Sequence, residues 1–239
     1  MKSLDQFLFV VYPYICLVVF LMGSLARFDR DQYTWKSDSS TLLRKDGMRL
    51  ASNCFHIGIL FLFFGHLVGQ LTPHWMYEPF ISAPAKQMLA IVSGGIAGAV
   101  CFIGLSMLIW RRVSDPRIRL TSHRTDLAIL VILWLQLCLG LLTLPFSYSH
   151  RQDAQAMLIL ASYLQSIATL QPDASALASI AWPFKVHMVL GMTIFLLFPF
   201  SRLVHVWSGL ASVVYLFRPY QIVRSRRLNV PARHNVAER

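Results

Sequence analysis

Charged residues are scarce in this chain, and acidic ones are the scarcest. Only 14% of its 239 residues are charged, with 11 acidic against 22 basic, whereas 56% are hydrophobic. A soluble domain carries about 25% charged residues. The hydrophobic residues run in continuous blocks and lack the two-residue alternation of a membrane β-barrel. This composition argues against a soluble domain and against a membrane β-barrel, and it predicts an all-α integral membrane protein.

Motifs of several redox and nucleotide chemistries are also missing from the sequence. The four cysteines lie singly in four separate apolar blocks, as Cys16, Cys54, Cys101 and Cys138. No C-x-x-C-H motif occurs, so covalent attachment of a c-type haem is excluded. The sequence also has no iron–sulfur cysteine motif and no Rossmann glycine fingerprint. An electron acceptor that uses an iron–sulfur cluster or a nucleotide therefore lies on another polypeptide.

The hydrophobic residues form five blocks, each long enough to cross a bilayer as a helix. We place the spans at residues 7–25, 51–71, 88–110, 126–146 and 184–207. Together they predict one five-helix bundle over residues 1–225, followed by a basic tail at 226–239. The segment 147–182 between the last two spans is interpreted as a long outer loop.

Positive charge lies in alternate connections between the spans. Six lysines and arginines fall in residues 27–50, five arginines fall in 111–124, and six more fall in 218–239, whereas the other connections carry few. Because cytoplasmic loops carry the excess of lysine and arginine, the N-terminus is predicted outside and the C-terminus in the cytoplasm. The net charge of +11 therefore indicates topology and not nucleic-acid binding.

Two of the five spans carry two histidines each, and an ionisable residue inside a membrane span marks a functional site. His56 and His66 lie in the second span, and His187 and His205 lie in the fifth. The two spans run in opposite directions, so only two pairings match in depth. The outer pair is His66 with His187, and the inner pair is His56 with His205.

The spacing of the histidines agrees with this pairing only in part. His187 and His205 are 18 residues apart, which is five helical turns, so they share one face. That separation climbs about 27 Å, whereas the ten residues between His56 and His66 climb about 15 Å. Helix tilt, a kink at Pro199 or a slanted axis between ligands would each absorb the difference. The sequence does not choose among them.

Two protein ligands per site suit a b-type haem best. Structural zinc takes four protein ligands. A haem ring provides four nitrogens itself and needs only two axial ligands, so paired histidines on facing helices fit it. Two haems stacked in this way carry electrons across the membrane. The alternative is that each histidine hydrogen-bonds a neighbour in the core of a haem-free anchor or proton-conducting transporter.

Three further residues are candidates at the two ends of the electron path. Lys86 lies near His66 in depth, so a quinol oxygen would hydrogen-bond either the lysine or the free imidazole nitrogen of His66. An ordinary interfacial lysine is the alternative for Lys86. Arg112 and Arg202 lie at the level of the inner pair, and arginine pairs well with the carboxylates of haem propionates.

Several segments of the chain resemble a known family. They are residues 12–14, 32–35, 51–60, Gly65-His66, 71–78, and 190–193 with Phe198-Pro199-Phe200-Ser201-Arg202-Leu203. Over residues 7–225 the chain resembles the NarI family, the cytochrome b (gamma) subunits of membrane-bound respiratory nitrate reductases.

This resemblance implies a location in the bacterial inner membrane and a specific electron path. It implies that menaquinol or ubiquinol is oxidised near the outer face, at Gly65, His66 and Lys86. Electrons would then pass through a distal haem on the outer pair and a proximal haem on the inner pair. The acceptor would be an Fe–S beta subunit that feeds a molybdenum alpha subunit, where nitrate is reduced. A related alternative is the di-haem cytochrome b of a heterodisulfide- or sulfite-type reductase.

Overall fold

The computed structural model describes residues 3–30 and 43–208, which are helical and contain no strand. Five segments are long and apolar enough to cross a membrane, which confirms the predicted all-α five-span class. The helices are, in order, α1 (Ser3–Arg30), α2 (Met48–Leu71), α3 (His74–Tyr77), α4 (Ala83–Ser114), α5 (Pro116–Thr121), α6 (Arg124–Ser149), α7 (Gln155–Ala168) and α8 (Trp182–Leu197). The compact unit of the bundle ends at residue 205.

Some of the predicted features lie outside the described residues. These are the basic tail at 226–239 and half of the first basic connection, at 31–42. The assignment of the N-terminus to the outer side likewise stays a prediction.

The spans packed side by side follow the order α2, α4, α6, α8, α1. Two glycines let α2 and α4 approach closely. A β-carbon at Gly58 would lie 2.6 Å from the β-carbon of Cys101, and one at Gly104 would overlap the backbone of Phe55. In the described part of the chain, the helix α2, with His56 and His66, and the helix α8, with His187, are not closely packed against each other.

The segment 147–182 is not a plain loop, so that interpretation was wrong. It contains the 14-residue helix α7, whose buried Leu160, Tyr163 and Ile167 recur at helical spacing. The Tyr163 hydroxyl donates to the carbonyl of Phe9 at 3.0 Å. Phe9 lies in a π-helical turn of α1, Phe7–Val11, where the changed bonding pattern leaves a carbonyl available to a side chain. The helix α7 thus closes the bundle near the start of α1.

The last span breaks before it reaches the second histidine. The helix α8 ends at Leu197 and is followed by two 3₁₀ turns, Phe198–Phe200 and Arg202–Val204, with extended Ser201 between them (φ −120°, ψ 175°). Pro199 has no N–H to continue the helical bonds. A continuous helix to residue 207 with His187 and His205 on one face was therefore wrong. Of the options that the sequence left open, the structure takes the break near Pro199.

Candidate functional site

The structure brings the four histidines together in two pairs, His66 with His187 and His56 with His205. The ring centroids of His66 and His187 are 6.2 Å apart, and those of His56 and His205 are 6.3 Å apart. A metal-bound imidazole nitrogen lies about 2 Å from its metal, so two rings that ligate one metal from opposite sides have centroids about 6 Å apart. Both separations therefore fit one metal between two imidazoles.

All four imidazoles are oriented by the same type of hydrogen bond. Each Nδ1 donates to a backbone carbonyl, at 2.6 to 3.1 Å. The acceptors are Ser52 for His56, Leu62 for His66, Gln136 for His187 and Arg202 for His205. Because a carbonyl only accepts, Nδ1 carries the proton and Nε2 keeps its lone pair. Metal-binding histidines are oriented in this manner, with the second nitrogen free for the metal.

The surroundings of the pairs fit a large, flat group better than a bare ion. The rings of His56 and His66 are exposed on an apolar helix. Only 6% of the most apolar stretch of α2 is buried inside the protein, against 17–22% in the other spans. Among residues 3–30 and 43–208, no group of three or more His, Cys, Asp or Glu side chains is placed to hold a metal. A macrocycle that brings four ligands of its own meets both conditions.

The two arginines predicted at the inner end meet at a carboxylate that the sequence analysis did not identify. Nη1 of Arg202 lies 3.6 Å from Oδ2 of Asp126, and Nη1 of Arg112 lies 3.9 Å from the same oxygen. Arg112 also donates to Ser122 Oγ at 3.0 Å. Asp126 is buried, with 8% of its surface exposed. Two cations on one carboxylate leave a net positive charge here, which suits a further carboxylate; pairing with haem propionates stays a prediction.

A second arginine contact holds the break after α8. Arg27 Nη1 on α1 donates to the carbonyls of Pro199 at 2.7 Å and Ser201 at 2.9 Å. Carbonyls at a helix end lack intrahelical partners, and a cation stabilises them. Gly23, one turn earlier, leaves room for the Pro199 ring, since a β-carbon there would lie 2.8 Å from it. The helix α1 therefore fixes the segment that carries His205.

The outer end holds the three residues predicted to bind a quinol. Gly65 and His66 lie in the last two turns of α2, and Lys86 lies in the first turn of α4 rather than in the connection before it. These turns meet at one end of an antiparallel pair. A β-carbon at Gly65 would contact nothing within 4 Å, so the backbone there borders open space. Nδ1 of His66 is already bonded to Leu62, which leaves Lys86 as the donor of the two.

The side chain of Lys86 rests on an aromatic ring. Its Nζ lies 3.5 Å from the ring centroid of Tyr77 in α3, a buried residue with 9% of its surface exposed. Burial first, and the Glu78 carboxylate second, raise the pKa of the Tyr77 phenol above its ordinary value, so the ring is neutral. A cation over a neutral aromatic face is attracted to it.

Sequence reasoning missed Asp126, Arg27, Tyr77 and Gln136. Two of them carry a signal that a stricter reading would have used. Asp126 is an acidic residue at the start of an apolar span, and Gln136 is a polar residue in the middle of the same span. Both are costly in a membrane without a partner. Nothing in the local pattern marks Arg27 or Tyr77, because their partners lie on other helices.

Comparison with known proteins identifies relatives over nearly the whole chain. The profile of the family described as "Nitrate reductase gamma subunit" matches residues 5–226. The respiratory nitrate reductase 2 gamma chain of Escherichia coli K12 is 52% identical over 95% of this chain and 99% of its own length. The respiratory nitrate reductase 1 gamma chain of the same organism is 50% identical over 95% and 100%. The nitrate reductase gamma chain of Bacillus subtilis 168 is 35% identical over 92% and 98%.

These relatives match the chain over nearly its whole length, so the comparison covers all five apolar helices. The five apolar helices and the relatives place the chain among multi-pass proteins of the inner membrane. The family profile covers all four histidines, both arginines of the inner end and Lys86. The chain belongs to the nitrate reductase gamma subunit family.

Proposed function

We propose that this chain binds two b-type haems between α2 and the last span, which is α8 with the turns that follow it, and carries electrons from a quinol near the outer face to a partner subunit at the inner face. The observation that carries the proposal is the shared state of the four histidines. Their Nδ1 protons are held by carbonyls, and their rings lie in two pairs at 6.2 and 6.3 Å. The outer pair would hold the distal haem and the inner pair the proximal one.

A b-type haem held by His66 and His187, and another held by His56 and His205, would supply one-electron transfer. The chain's own residues do the rest. The four Nδ1–H bonds keep each imidazole in the tautomer that offers Nε2. Arg112 and Arg202, with one carboxylate between two cations, offer positive charge to haem propionates at the inner end.

Lys86 is the residue that we assign to the quinol. Its ammonium group donates a hydrogen bond to a quinol oxygen, since Nδ1 of His66 is bonded to Leu62. The open space beside Gly65 admits the ring of the substrate. With the N-terminus outside, as the distribution of arginine predicts, this site lies at the outer end and quinol protons leave on that side.

The partner that receives the electrons is a separate polypeptide. The relatives are named as gamma chains of nitrate reductases, and such a name implies further subunits. We propose an Fe–S beta subunit as the acceptor and a molybdenum alpha subunit as the place where nitrate is reduced. The related heterodisulfide- or sulfite-type reductase is disfavoured by identities of 50–52% to respiratory nitrate reductase chains.

The test separates the two haem positions and their order. Membranes that contain the full-length chain are expected to give a reduced-minus-oxidised spectrum of two b haems. His187→Ala should remove the distal haem and His205→Ala the proximal one. Quinol should then still reduce the distal haem in the His205→Ala variant, and it should fail to reduce the proximal haem in the His187→Ala variant.

Two results would contradict the proposal. A spectrum without b haem would favour the haem-free anchor or transporter. Rapid reduction of the proximal haem by quinol in the His187→Ala variant would show that electrons enter at the inner end. His150→Ala is the matched control, because His150 follows the last residue of α6 and its ring bonds the nearby Ser149 and Phe146.

A further inference from the structure

One of the four histidines is oriented by a different helix. His56, His66 and His205 each donate to a carbonyl three or four residues earlier in their own segment. His187, in α8, instead donates across to the carbonyl of Gln136 in α6, at 3.1 Å. Its orientation therefore depends on how two helices pack and not on the helix that carries it.

The contact between the two helices is reciprocal. The side-chain Nε2 of Gln136 donates to the carbonyl of His187 at 3.0 Å, so each residue bonds the backbone of the other. The same nitrogen lies 3.4 Å from Nε2 of His187 in a long hydrogen bond that Nε2 accepts and that a metal on Nε2 would replace. Exchanging the amide oxygen and nitrogen would set two oxygens against each other, so the hydrogen bond fixes the amide as described.

Each of these side chains fits over a glycine on the opposite helix. A β-carbon at Gly140 would lie 3.0 Å from Cε1 of His187, and one at Gly191 would lie 3.0 Å from Nε2 of Gln136. The spacing is the same on both helices, because Gly140 follows Gln136 by four residues and Gly191 follows His187 by four. Residues four apart share one face of a helix. Each helix thus contributes one polar side chain and one glycine that makes room for the polar side chain of the other helix.

Ordinary glycine packing does not account for this arrangement. Small residues in membrane helices usually let backbones approach each other, whereas these two glycines make room for polar side chains. A glutamine in the middle of an apolar span is costly unless it is bonded. Its side-chain oxygen is buried without a hydrogen-bond partner in the part of the chain that the structure describes, so its nitrogen alone offsets that cost.

We propose that Gln136, Gly140 and Gly191 form a positioning set for His187, in which α6 sets the tautomer and the ring orientation of the outer histidine. The inference rests on the proposed haem ligation. It adds three positioning residues: Gln136 and Gly140 lie against the His187 ring, and Gly191 lies against the Gln136 amide. It also makes the outer site sensitive to the packing of α6 against α8 through a direct bond to the ligand, whereas the inner His205 bonds within its own turn.

The experiment measures the two haems separately in the full-length chain in membranes. Gly140→Val places a branched side chain where the His187 ring lies, and Gln136→Leu removes the amide and keeps the volume. Gly94→Val is the control for the first, since a β-carbon at Gly94 meets nothing within 4 Å. Thr143→Val is the control for the second, because Thr143 on α6 bonds only the carbonyl of Gly140.

Haem affinity is read from transfer of haem to excess apomyoglobin, and the ligand geometry from low-spin EPR with added hemin at saturation. Loss of an outer-shell partner lowers metal affinity about 10- to 100-fold. We expect a loss of that size for the distal haem in Gly140→Val and a few-fold loss in Gln136→Leu. The distal EPR signal should shift in both variants, while the proximal haem and both controls match the wild type.

Three outcomes would overturn the inference. The distal signal and affinity are unchanged in both variants, or both haems weaken equally, or the controls behave as the variants do. In the last two cases the residues serve helix packing alone. If the wild-type chain itself holds no haem, the proposed function fails first and this inference fails with it; if the wild type holds two, only the positioning role is at stake.

Discussion

The outer and inner histidine pairs reach the same ring separation by different means. In the outer pair both histidines lie on regular helix, and His187 is held by the neighbouring helix α6 through Gln136. In the inner pair His205 follows a broken segment and is held by its own turn, through the carbonyl of Arg202. The outer site thus depends on helix packing, and the inner site depends on a fixed break.

The break lies in the histidine-bearing span whose rise does not match that of the other. A straight helix would separate His187 from His205 by about 27 Å, against about 15 Å for His56 and His66. Two 3₁₀ turns and one extended residue redirect the chain after Leu197. Arg27 from α1 and Asp126 from α6 hold this segment from two sides. The inner site is therefore the one whose geometry is set by polar contacts to its loop.

The largest effect that separates the two sites is expected from Arg27→Ala. It removes the two hydrogen bonds to Pro199 and Ser201, so the segment that carries His205 loses its position. We expect about 10- to 100-fold weaker binding of the proximal haem, with the distal haem retained. Reduced-minus-oxidised spectra before and after haem transfer to apomyoglobin measure both. Arg30→Ala, one turn later on α1, is the control, and equal loss of both haems in Arg27→Ala would contradict a local role.

Lys86→Ala is expected to separate substrate chemistry from haem binding at the outer end. The lysine touches the Tyr77 ring and no histidine ligand, so both haems should stay in place. Loss of a charged hydrogen bond of about 1.5–3 kcal/mol lowers kcat/KM for quinol roughly 10- to 100-fold. Stopped-flow reduction of the haems by quinol measures it.

Lys185→Ala is the matched control for that variant. Lys185 lies in the first turn of α8, as Lys86 lies in the first turn of α4, and it donates to the carbonyl of Ala178 at 3.5 Å. Loss of either haem in Lys86→Ala would make Lys86 a structural residue. A rate equal to that of the wild type would remove it from the quinol site.

Asp126→Asn should change the inner haem without removing it. The substitution takes away the one carboxylate between Arg112 and Arg202 and leaves their charges uncompensated. Added positive charge favours the reduced form, so the midpoint potential of the proximal haem should rise by tens of millivolts, on the order expected at an effective dielectric constant near 20. A redox titration measures the shift, and the distal potential serves as the internal control. A fall in the proximal potential, or an equal shift of both, would contradict the assignment.

The sequence predicted the spans and the depth of each histidine, because hydropathy and arginine distribution are properties of the segments themselves. It did not predict what orients them. The bond from His187 to Gln136 and the bonds from Arg27 to the Pro199 break join residues 51 and more than 170 positions apart. The 18-residue spacing of His187 and His205 misled, because it matched a whole number of turns in a helix that does not continue. Contacts between helices decide both points, and no local pattern records them.

The smallest expected effect tests whether the outer end is as preorganised as the inner one. Tyr77→Leu removes the ring beneath Lys86, whereas Tyr77→Phe keeps the ring and removes only the hydroxyl. A cation–π contact at a partly exposed site is worth about 0.5–1 kcal/mol, so Tyr77→Leu should slow quinol oxidation about 2- to 5-fold and Tyr77→Phe should keep the wild-type rate. The same stopped-flow assay measures both. If Tyr77→Phe loses as much as Tyr77→Leu, the hydroxyl and not the ring face matters, and the lysine is then positioned by α4 alone.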